Sequence, residues 1–247
     1  MVDKPGKLLK AEALKAGDRV ALLAPASRPH SLVEVARCKS LIEEMGFVPV
    51  AGEHVLDTHG YMAGTDEDRL SDLHEAIADD SIKAMFFLAG GFGSLRLLDR
   101  LDYAMIERCP KIYLGSDEIT SLLLAIRKLT GLVTFYGPNL DRIRSRNMFS
   151  RLKEIISSKK PASPIENASD KLESFSFSPV EGKVEGRCEG GNLSAFSSLM
   201  GTRYQVDTDG RILFFSDLNE RNDILDRWFS NLYVAGRLEK VAGVAFG

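Results

Sequence analysis

Two loops of this sequence carry residues that are suited to chemistry. The first is AGGFG at residues 89–93, which follows an apolar run and precedes a helical pattern. Glycines at such a junction let backbone N–H groups approach a ligand closely, and the helix N-terminus adds positive potential. Gly90 and Gly91 are therefore candidates to bind a phosphate, a carboxylate or an oxyanion. A tight turn without a ligand fits the spacing equally well, and the GxGxxG spacing of dinucleotide-binding loops is absent.

The second loop is GSDEIT at residues 115–120, which also joins an apolar run to a helical pattern. This is the layout of a nucleophile elbow, a strained turn that lifts one side chain above the edge of a sheet. Asp117 and Glu118 also have a simpler interpretation, because carboxylates favour the first positions of a helix. Both loops are expected at the carboxyl ends of parallel strands, where α/β proteins bind their ligands.

The elements that position these loops alternate between strand and helix. Apolar runs predict strands, and apolar residues at helical spacing predict helices. Gly46 is suited to end the first predicted helix, and Thr65 or Asp66 is suited to cap the start of the second. The predicted strands are 19–25, 47–50, 82–88, 112–114 and 132–135, and the predicted helices are 32–45, 67–78, 94–101 and 119–129. This alternation predicts an α/β fold with a Rossmann- or flavodoxin-like parallel sheet and helices on both faces.

The second half of the chain has a different texture. Ser, Lys, Pro and Glu dominate residues 150–178, so we predict an N-terminal domain over 1–148 and a linker over 149–179, with a helix at 150–157. A smaller mixed α/β C-terminal domain is predicted over 180–247. It would begin with a glycine-rich, turn-like segment at 182–191, followed by helices at 193–200 and 224–234 and strands at 212–215 and 241–246.

Composition excludes several classes of protein. The 247 residues are 44% hydrophobic and 27% charged, which is ordinary for a globular protein. The net charge of −3 and the lack of a basic block argue against a nucleic-acid partner. No apolar run reaches the roughly 18–20 residues of a membrane span. The N-terminal residues lack the apolar core of a secretory signal, so we expect a cytoplasmic protein.

Cysteine and histidine give no sign of a metal or redox centre. Cys38, Cys109 and Cys188 are odd in number and form no CxxC pair, so we expect free, buried thiols. His54 and His59 lie five residues apart in a polar loop, without a carboxylate or cysteine pattern that would complete a metal site. We therefore interpret both as surface residues and expect neither a metal nor a cofactor.

The chain resembles the LD-carboxypeptidases and their relatives, the microcin C immunity peptidases. The resemblance runs from about residue 15 to residue 247 and is carried by several motifs in the family's order. They are GDRVALLAPAS at 17–27, AGTDEDR at 63–69, DLH at 72–74, GGFG at 90–93, GSDEITSL at 115–122, GP at 137–138, GGNL at 190–193, GT at 201–202, ILFFSD at 212–217 and DR at 226–227.

The resemblance implies a serine hydrolase that cleaves peptides with a D-amino-acid linkage, such as murein tetrapeptide. In such enzymes a Ser–Glu–His triad places the Ser on the elbow, the Glu at the end of the strand that matches 212–217, and the His near the C-terminus. The oxyanion hole is formed by backbone N–H groups, which the resemblance assigns to Gly90 and Gly91 of the glycine loop and to Glu118, the residue after the nucleophile position.

At each of these triad positions the sequence differs from the family pattern. An ungapped alignment of residues 115–120 puts Asp117 at the nucleophile position, and Ser216 stands where the triad Glu is expected, with Asp217 beside it. No histidine follows His74. Ala89 and Tyr136 replace the family's Arg and His in the glycine loop and before the Gly-Pro pair. A local shift would offer Ser116 as an alternative nucleophile, still without a base.

These replacements bear directly on triad chemistry. A serine hydroxyl needs a neighbouring base to become a competent nucleophile. Asp117 is ionised without help, yet hydrolysis of the ester it would form also needs a positioned base. We therefore formulate a second hypothesis for Asp117. Its carboxylate would fold back into the oxyanion hole and accept hydrogen bonds from the glycine loop and from the Glu118 N–H.

Three alternative functions are consistent with this sequence. The first is a catalytically silent member of the family that binds a peptide or muropeptide in the cleft without cutting it. The second is an active hydrolase whose catalytic residues are misaligned or lie in a part absent from the sequence. The third is a structural scaffold that binds a partner. Family members are commonly dimers and an unpaired strand edge seeks a partner, so a homodimer is expected.

Overall fold

The computed structural model describes residues 8–143, 145–162, 182–217 and 220–247. Its larger sheet has five parallel strands in the order β2-β1-β3-β4-β5, which is the flavodoxin-like order. The strands are β1 (Arg19–Leu23), β2 (Val48–Ala51), β3 (Ile82–Phe87), β4 (Ile112–Gly115) and β5 (Phe135–Tyr136). The sheet is therefore of the predicted type, with its carboxyl edge formed by the loops that carry the candidate residues.

Helices cover both faces of this sheet. They are α1 (Leu32–Glu44), α2 (Asp66–Ala78), α3 (Tyr103–Arg108), α4 (Ile119–Thr130) and α5 (Arg146–Ser157), with short 3-10 turns at Ser94–Leu97 and Leu140–Arg142. Two separate clusters of buried apolar side chains result. One receives α1 and α5, and the other receives α2 and α4. Strands buried on both faces explain why the strand sequences are apolar throughout.

The second sheet is smaller and also parallel, with the order β6-β7-β8. Its elements are β6 (Arg187–Asn192), α6 (Leu193–Ser198), β7 (Arg211–Ser216), α7 (Asn222–Val234) and β8 (Gly243–Phe246). Helix α6 packs on α4, and Phe196 and Leu213 belong to the same buried cluster as Leu122 of the first unit. The two units therefore share one hydrophobic core.

Several predicted elements need correction. Residues 182–191 were expected to form turns, but 187–191 belong to strand β6. The glycines mislead because Gly190 and Gly191 adopt φ values of 139° and 140°, which bring the strand close to its neighbours. The helix predicted at 94–101 is a 3-10 turn followed by the unpredicted helix α3, and the strand predicted at 132–135 overlaps the observed β5 only at Phe135.

The helix predicted at 150–157 is longer in the structure. Helix α5 begins at Arg146, with the Ser145 side chain accepting a hydrogen bond from the Met148 N–H, so residue 148 lies inside the helix. Leu152 and Ile156 are buried against the first sheet. Of the predicted linker, residues 163–179 lie outside the described residues.

The three cysteines differ in their exposure to solvent. All three cysteines are free, as predicted, but only Cys38 is buried, whereas Cys188 is exposed. Cys188 lies on β6, which is an edge strand of the second sheet. Among the described helices, none combines the length and the apolar character that a membrane span requires.

The shared core predicts the effect of shortening one buried side chain of α6. Phe196 is fully buried and makes an edge-on contact with Phe215, with ring centroids 5.2 Å apart. Phe196→Ala should lower the free energy of unfolding by about 3–5 kcal/mol. Urea unfolding followed by near- and far-UV circular dichroism should still show one coincident transition.

Tyr233→Ala on α7 is the matched control, because Tyr233 is 72% exposed. It should change stability by less than about 0.5 kcal/mol. Two separate transitions in Phe196→Ala, with only the later residues destabilised, would contradict a shared core.

Candidate functional site

Asp117 lies at the tip of a strained turn between β4 and α4. Its φ of 53° is the one positive value of a non-glycine residue in the described part of the chain. Side chains rarely adopt this left-handed conformation, and it is typical of residues held in place for function. Gly115 before it has no room for a side chain, because a Cβ would lie 2.8 Å from Ile119. The turn therefore has the geometry of a nucleophile elbow with an aspartate at its tip.

Ser116 and Asp117 differ in how they face the solvent. Ser116 is only 8% exposed, whereas the Asp117 side chain is 33% exposed. The buried Asn139 holds both residues. Its Oδ1 accepts a hydrogen bond of 2.8 Å from the Ser116 N–H, and its Nδ2 lies 3.5 Å from Asp117 Oδ2. Ser116 is thus part of the wall of the site, and Asp117 is the side chain presented at the elbow.

The Asp117 carboxylate faces a positive charge. Arg142 Nη2 lies 3.5 Å from Asp117 Oδ2, and the Arg142 side chain is 52% exposed. Arg142 ends the 3-10 turn Leu140–Arg142, which begins just after Asn139. Sequence reasoning missed both Asn139 and Arg142. Their signal is the segment NLDR directly after the Gly-Pro pair, at the end of β5 on the same sheet edge as the elbow.

The glycine loop packs directly against the elbow. A Cβ on Gly90 would lie 2.8 Å from the Asp117 Cβ, and Gly91 has a φ of 91° and leaves no room beside Ser27. Ser27 fixes this loop, since its N–H donates to the Gly90 carbonyl over 3.0 Å and its Oγ lies 3.4 Å from the Phe92 N–H. Glycine is therefore required at both positions for steric and conformational reasons.

The structure contradicts the hypothesis that Asp117 fills its own oxyanion hole. Arg142 and Asn139 attract the Asp117 carboxylate instead. The side chain that binds the glycine loop is Glu118, which has one more methylene group and reaches the adjacent 3-10 turn. Glu118 Oε1 accepts from the Gly93 N–H at 3.2 Å, the Ser94 hydroxyl at 3.1 Å and the Leu95 N–H at 3.4 Å.

Three backbone donors of the glycine loop and the elbow have no hydrogen-bond acceptor in the described part of the chain. They are the N–H groups of Gly90, Gly91 and Glu118. These are the groups that the resemblance assigns to an oxyanion hole. Their closeness to Asp117 follows from the packing of Gly90 on the elbow.

Ser216 and the elbow residue Asp117 both form hydrogen bonds with the phenol of Tyr136. Ser216 ends β7 and Tyr136 ends β5, so both lie at carboxyl edges. Burial raises the pKa of Tyr136, while hydrogen bonding from the Ser216 side chain and the Asp117 backbone lowers it, and the charges of Asp117 and Asp217 raise it. The position of the expected triad Glu is thus adjacent to the elbow, but a serine occupies it.

The GGN segment of β6 brings the second sheet to this place. A Cβ on Gly191 would lie 2.6 Å from Thr120 Oγ1 and 3.0 Å from Tyr136. The Asn192 N–H donates to Thr120 Oγ1 over 3.0 Å, so the second unit is hydrogen-bonded to the first turn of α4. Only glycine allows this approach, which places β7 and Ser216 near Asp117.

The histidines lie elsewhere, and one of them has acidic neighbours that the sequence pattern did not reveal. His54 Nδ1 is 2.8 Å from Asp57 Oδ2, and ligand atoms of His54, Asp57 and Asp68 lie within 4.8 Å of one another. A cation fits such a set of donors. Asp68 already accepts from the Thr65 N–H as part of the capping box of α2. His59 does not belong to this group.

Glu118 predicts a pH dependence of stability. Burial raises the pKa of Glu118 despite its three hydrogen bonds. The folded state therefore binds more protons than the unfolded state. Its stability should fall as pH rises from the unfolded pKa, near 4.3, through the folded pKa, by at most about 1.4 kcal/mol per pH unit. Glu118→Gln keeps a hydrogen-bond acceptor and loses the charge. Urea unfolding between pH 4 and 7 should therefore show that the stability of this variant increases relative to the wild type as pH rises.

Glu67→Gln is the matched control, because Glu67 has the opposite shift. The hydrogen bond from Arg100 lowers the pKa of Glu67, so this variant should lose stability relative to the wild type as pH rises. Parallel pH profiles for Glu118→Gln and the wild type would disprove the effect of burial at Glu118.

Comparisons with known proteins agree with the fold. The family models described as LD-carboxypeptidase N-terminal domain and C-terminal domain match residues 20–137 and 185–247. A probable murein peptide carboxypeptidase of Bacillus subtilis (strain 168) is 37% identical over 235 residues, which are 95% of this chain and 73% of the relative.

Two solved structures have the same fold throughout most of their length. An MccF-like protein from Bacillus anthracis str. Ames has a TM-score of 0.86 at 26% identity, covering 97% of this chain and 80% of its own. The microcin C7 self immunity protein MccF in complex with aspartyl sulfamoyl adenosine has a TM-score of 0.83 at 26% identity, with the same coverage. With both family domains matched in order, the chain belongs to the LD-carboxypeptidase family.

Proposed function

We propose that this chain binds a murein-type peptide at the elbow and does not cleave it by serine chemistry. The observation that carries the proposal is Asp117 itself, which occupies the strained tip of the elbow with φ 53° and is paired with Arg142. The family relationship supplies the class of ligand, since a relative is a probable murein peptide carboxypeptidase.

Serine chemistry lacks its parts among the described residues. Ser116 is a buried wall residue whose backbone is bound to Asn139. Ser216 occupies the position expected for the triad Glu, and a hydroxyl cannot stabilise an imidazolium as a carboxylate does. Of the described histidines, His74 is engaged elsewhere, because its Nε2 accepts a hydrogen bond from the Asp102 N–H at the start of α3.

The binding apparatus is retained. Gly90 packs directly against Asp117, and Glu118 braces the glycine loop against the elbow. The homodimer and the cytoplasmic location stay predictions from the sequence.

The test is release of D-alanine from murein tetrapeptide by the purified chain, read by mass spectrometry. We expect release within about tenfold of the buffer rate, against the factor of 10⁶ or more that enzymes achieve. Asp117→Ser should also fail to release D-alanine, because Ser216 leaves the new hydroxyl without the carboxylate of a triad. Isothermal titration should show binding of the intact tetrapeptide by the wild type.

Each result distinguishes one of the three functions. Release at enzymatic rates by the wild type would overturn the proposal in favour of an active hydrolase with an unexpected base. Absence of both release and binding would favour a scaffold. Turnover by Asp117→Ser alone would disprove the account of the missing triad.

A further inference from the structure

We propose that the elbow recognises a free amino-acid group, with Asp117 binding the ammonium and Arg142 together with the free N–H groups binding the carboxylate on the same carbon. This inference rests on the proposed function and names the chemical group of the ligand. It applies equally to a free amino acid such as D-alanine and to a peptide that carries such a group on a diamino-dicarboxylic residue.

The site carries both a positive and a negative side chain, Arg142 and Asp117. Three backbone N–H groups that have no acceptor among the described residues favour an anion, and the Arg142 guanidinium, which lies 3.5 Å from Asp117 and 3.9 Å from Asp141, adds a positive charge. The Asp117 carboxylate, beside Gly90, repels that anion. Two like charges about 4 Å apart repel each other at a protein surface. A ligand with only a carboxylate is therefore penalised, whereas one that brings its own cation to Asp117 is not.

The Asp117–Arg142 pair can open for such a ligand at small cost. The charged atoms are 3.5 Å apart, and the side chains are 33% and 52% exposed. Exposed ion pairs of this kind contribute little to stability, since water screens both charges. A zwitterion inserted between them exchanges one weak ion pair for two. Asn139 keeps the Asp117 carboxylate in place during this exchange, because its side chain is buried and also bound to the Ser116 N–H.

Serine at the elbow would not make this distinction. A hydroxyl is neutral and accepts a ligand carboxylate, whether or not an amine accompanies it. Aspartate adds one negative charge at the same strained position, so the ligand must supply a compensating positive charge. The replacement therefore changes the preferred ligand from an acylated amino acid to one whose amine is free.

The first experiment is a set of small ligands measured by ligand-observed NMR on the whole chain. D-Alanine should bind at least tenfold more tightly than N-acetyl-D-alanine, which lacks the ammonium, and D-alaninamide, which lacks the carboxylate. Equal binding of D-alanine and N-acetyl-D-alanine would overturn the inference, and so would an absence of binding by all three.

Variants give a signature that loss of folding cannot imitate. Asp117→Asn should weaken the binding of D-alanine at least tenfold and strengthen the binding of N-acetyl-D-alanine, because the repulsion of the carboxylate is removed. Arg142→Gln should weaken the binding of D-alanine and of N-acetyl-D-alanine and leave the binding of D-alaninamide unchanged. Arg19→Gln is the matched control, because Arg19 forms an exposed pair of the same 3.5 Å separation with Asp79 at the opposite edge of the sheet. Weakening of both ligands by Asp117→Asn would contradict the assignment.

A peptide arm separates this inference from the proposed function. Two murein tetrapeptides are compared, one with diaminopimelate, which has a free amino-acid group, and one with lysine, which has only an amine. Preference for the first by at least tenfold supports the inference. Equal binding would overturn the inference and leave the proposed function standing. D-Alanine binding without binding of either peptide would do the reverse.

Discussion

The buried guanidinium of Arg69 is the interaction on which the geometry of the glycine loop depends. Arg69 is 2% exposed and donates from Nη1 to the carbonyl oxygens of Pro25 and Gly93, and its Nη2 pairs with Asp66. Burial lowers the pKa of Arg69, and Asp66 opposes that effect. A buried charge is tolerated only when its donors are satisfied. The loop after β1, helix α2 and the end of the glycine loop must therefore keep one arrangement.

Glu118 performs the complementary task from the opposite side. Its carboxylate binds the start of the 3-10 turn after Gly93, while its backbone belongs to the elbow. Arg69 and Glu118 thus hold Gly93 between a cation at its carbonyl and an anion at its N–H. The N–H groups of the loop and of the elbow are fixed relative to each other before any ligand arrives. Such preorganised donors bind without paying a cost of reorganisation.

The sequence predicted the main sheet and the loops of the site because both rest on local patterns. Continuous apolar strands and helices of 12–13 residues, such as α2 and α4, identify themselves by periodicity. Strand β6 escaped prediction because its glycines serve a distant contact with Thr120, which no local pattern reports. Asn139 and Arg142 escaped for the same reason, since they meet Asp117 only through the pairing of β4 with β5.

The fate of the two acidic residues at the elbow shows how far local chemistry can be predicted. Both favour a helix N-terminus, yet neither side chain caps α4, for which no side-chain cap hydrogen bond exists. Glu118 caps the neighbouring turn, and Asp117 faces Arg142. The strained φ of Asp117 decides this outcome, because it directs that side chain away from its own helix and into the cleft. An aspartate held there at an energetic cost of about 1–3 kcal/mol is a site of interaction rather than a helix cap.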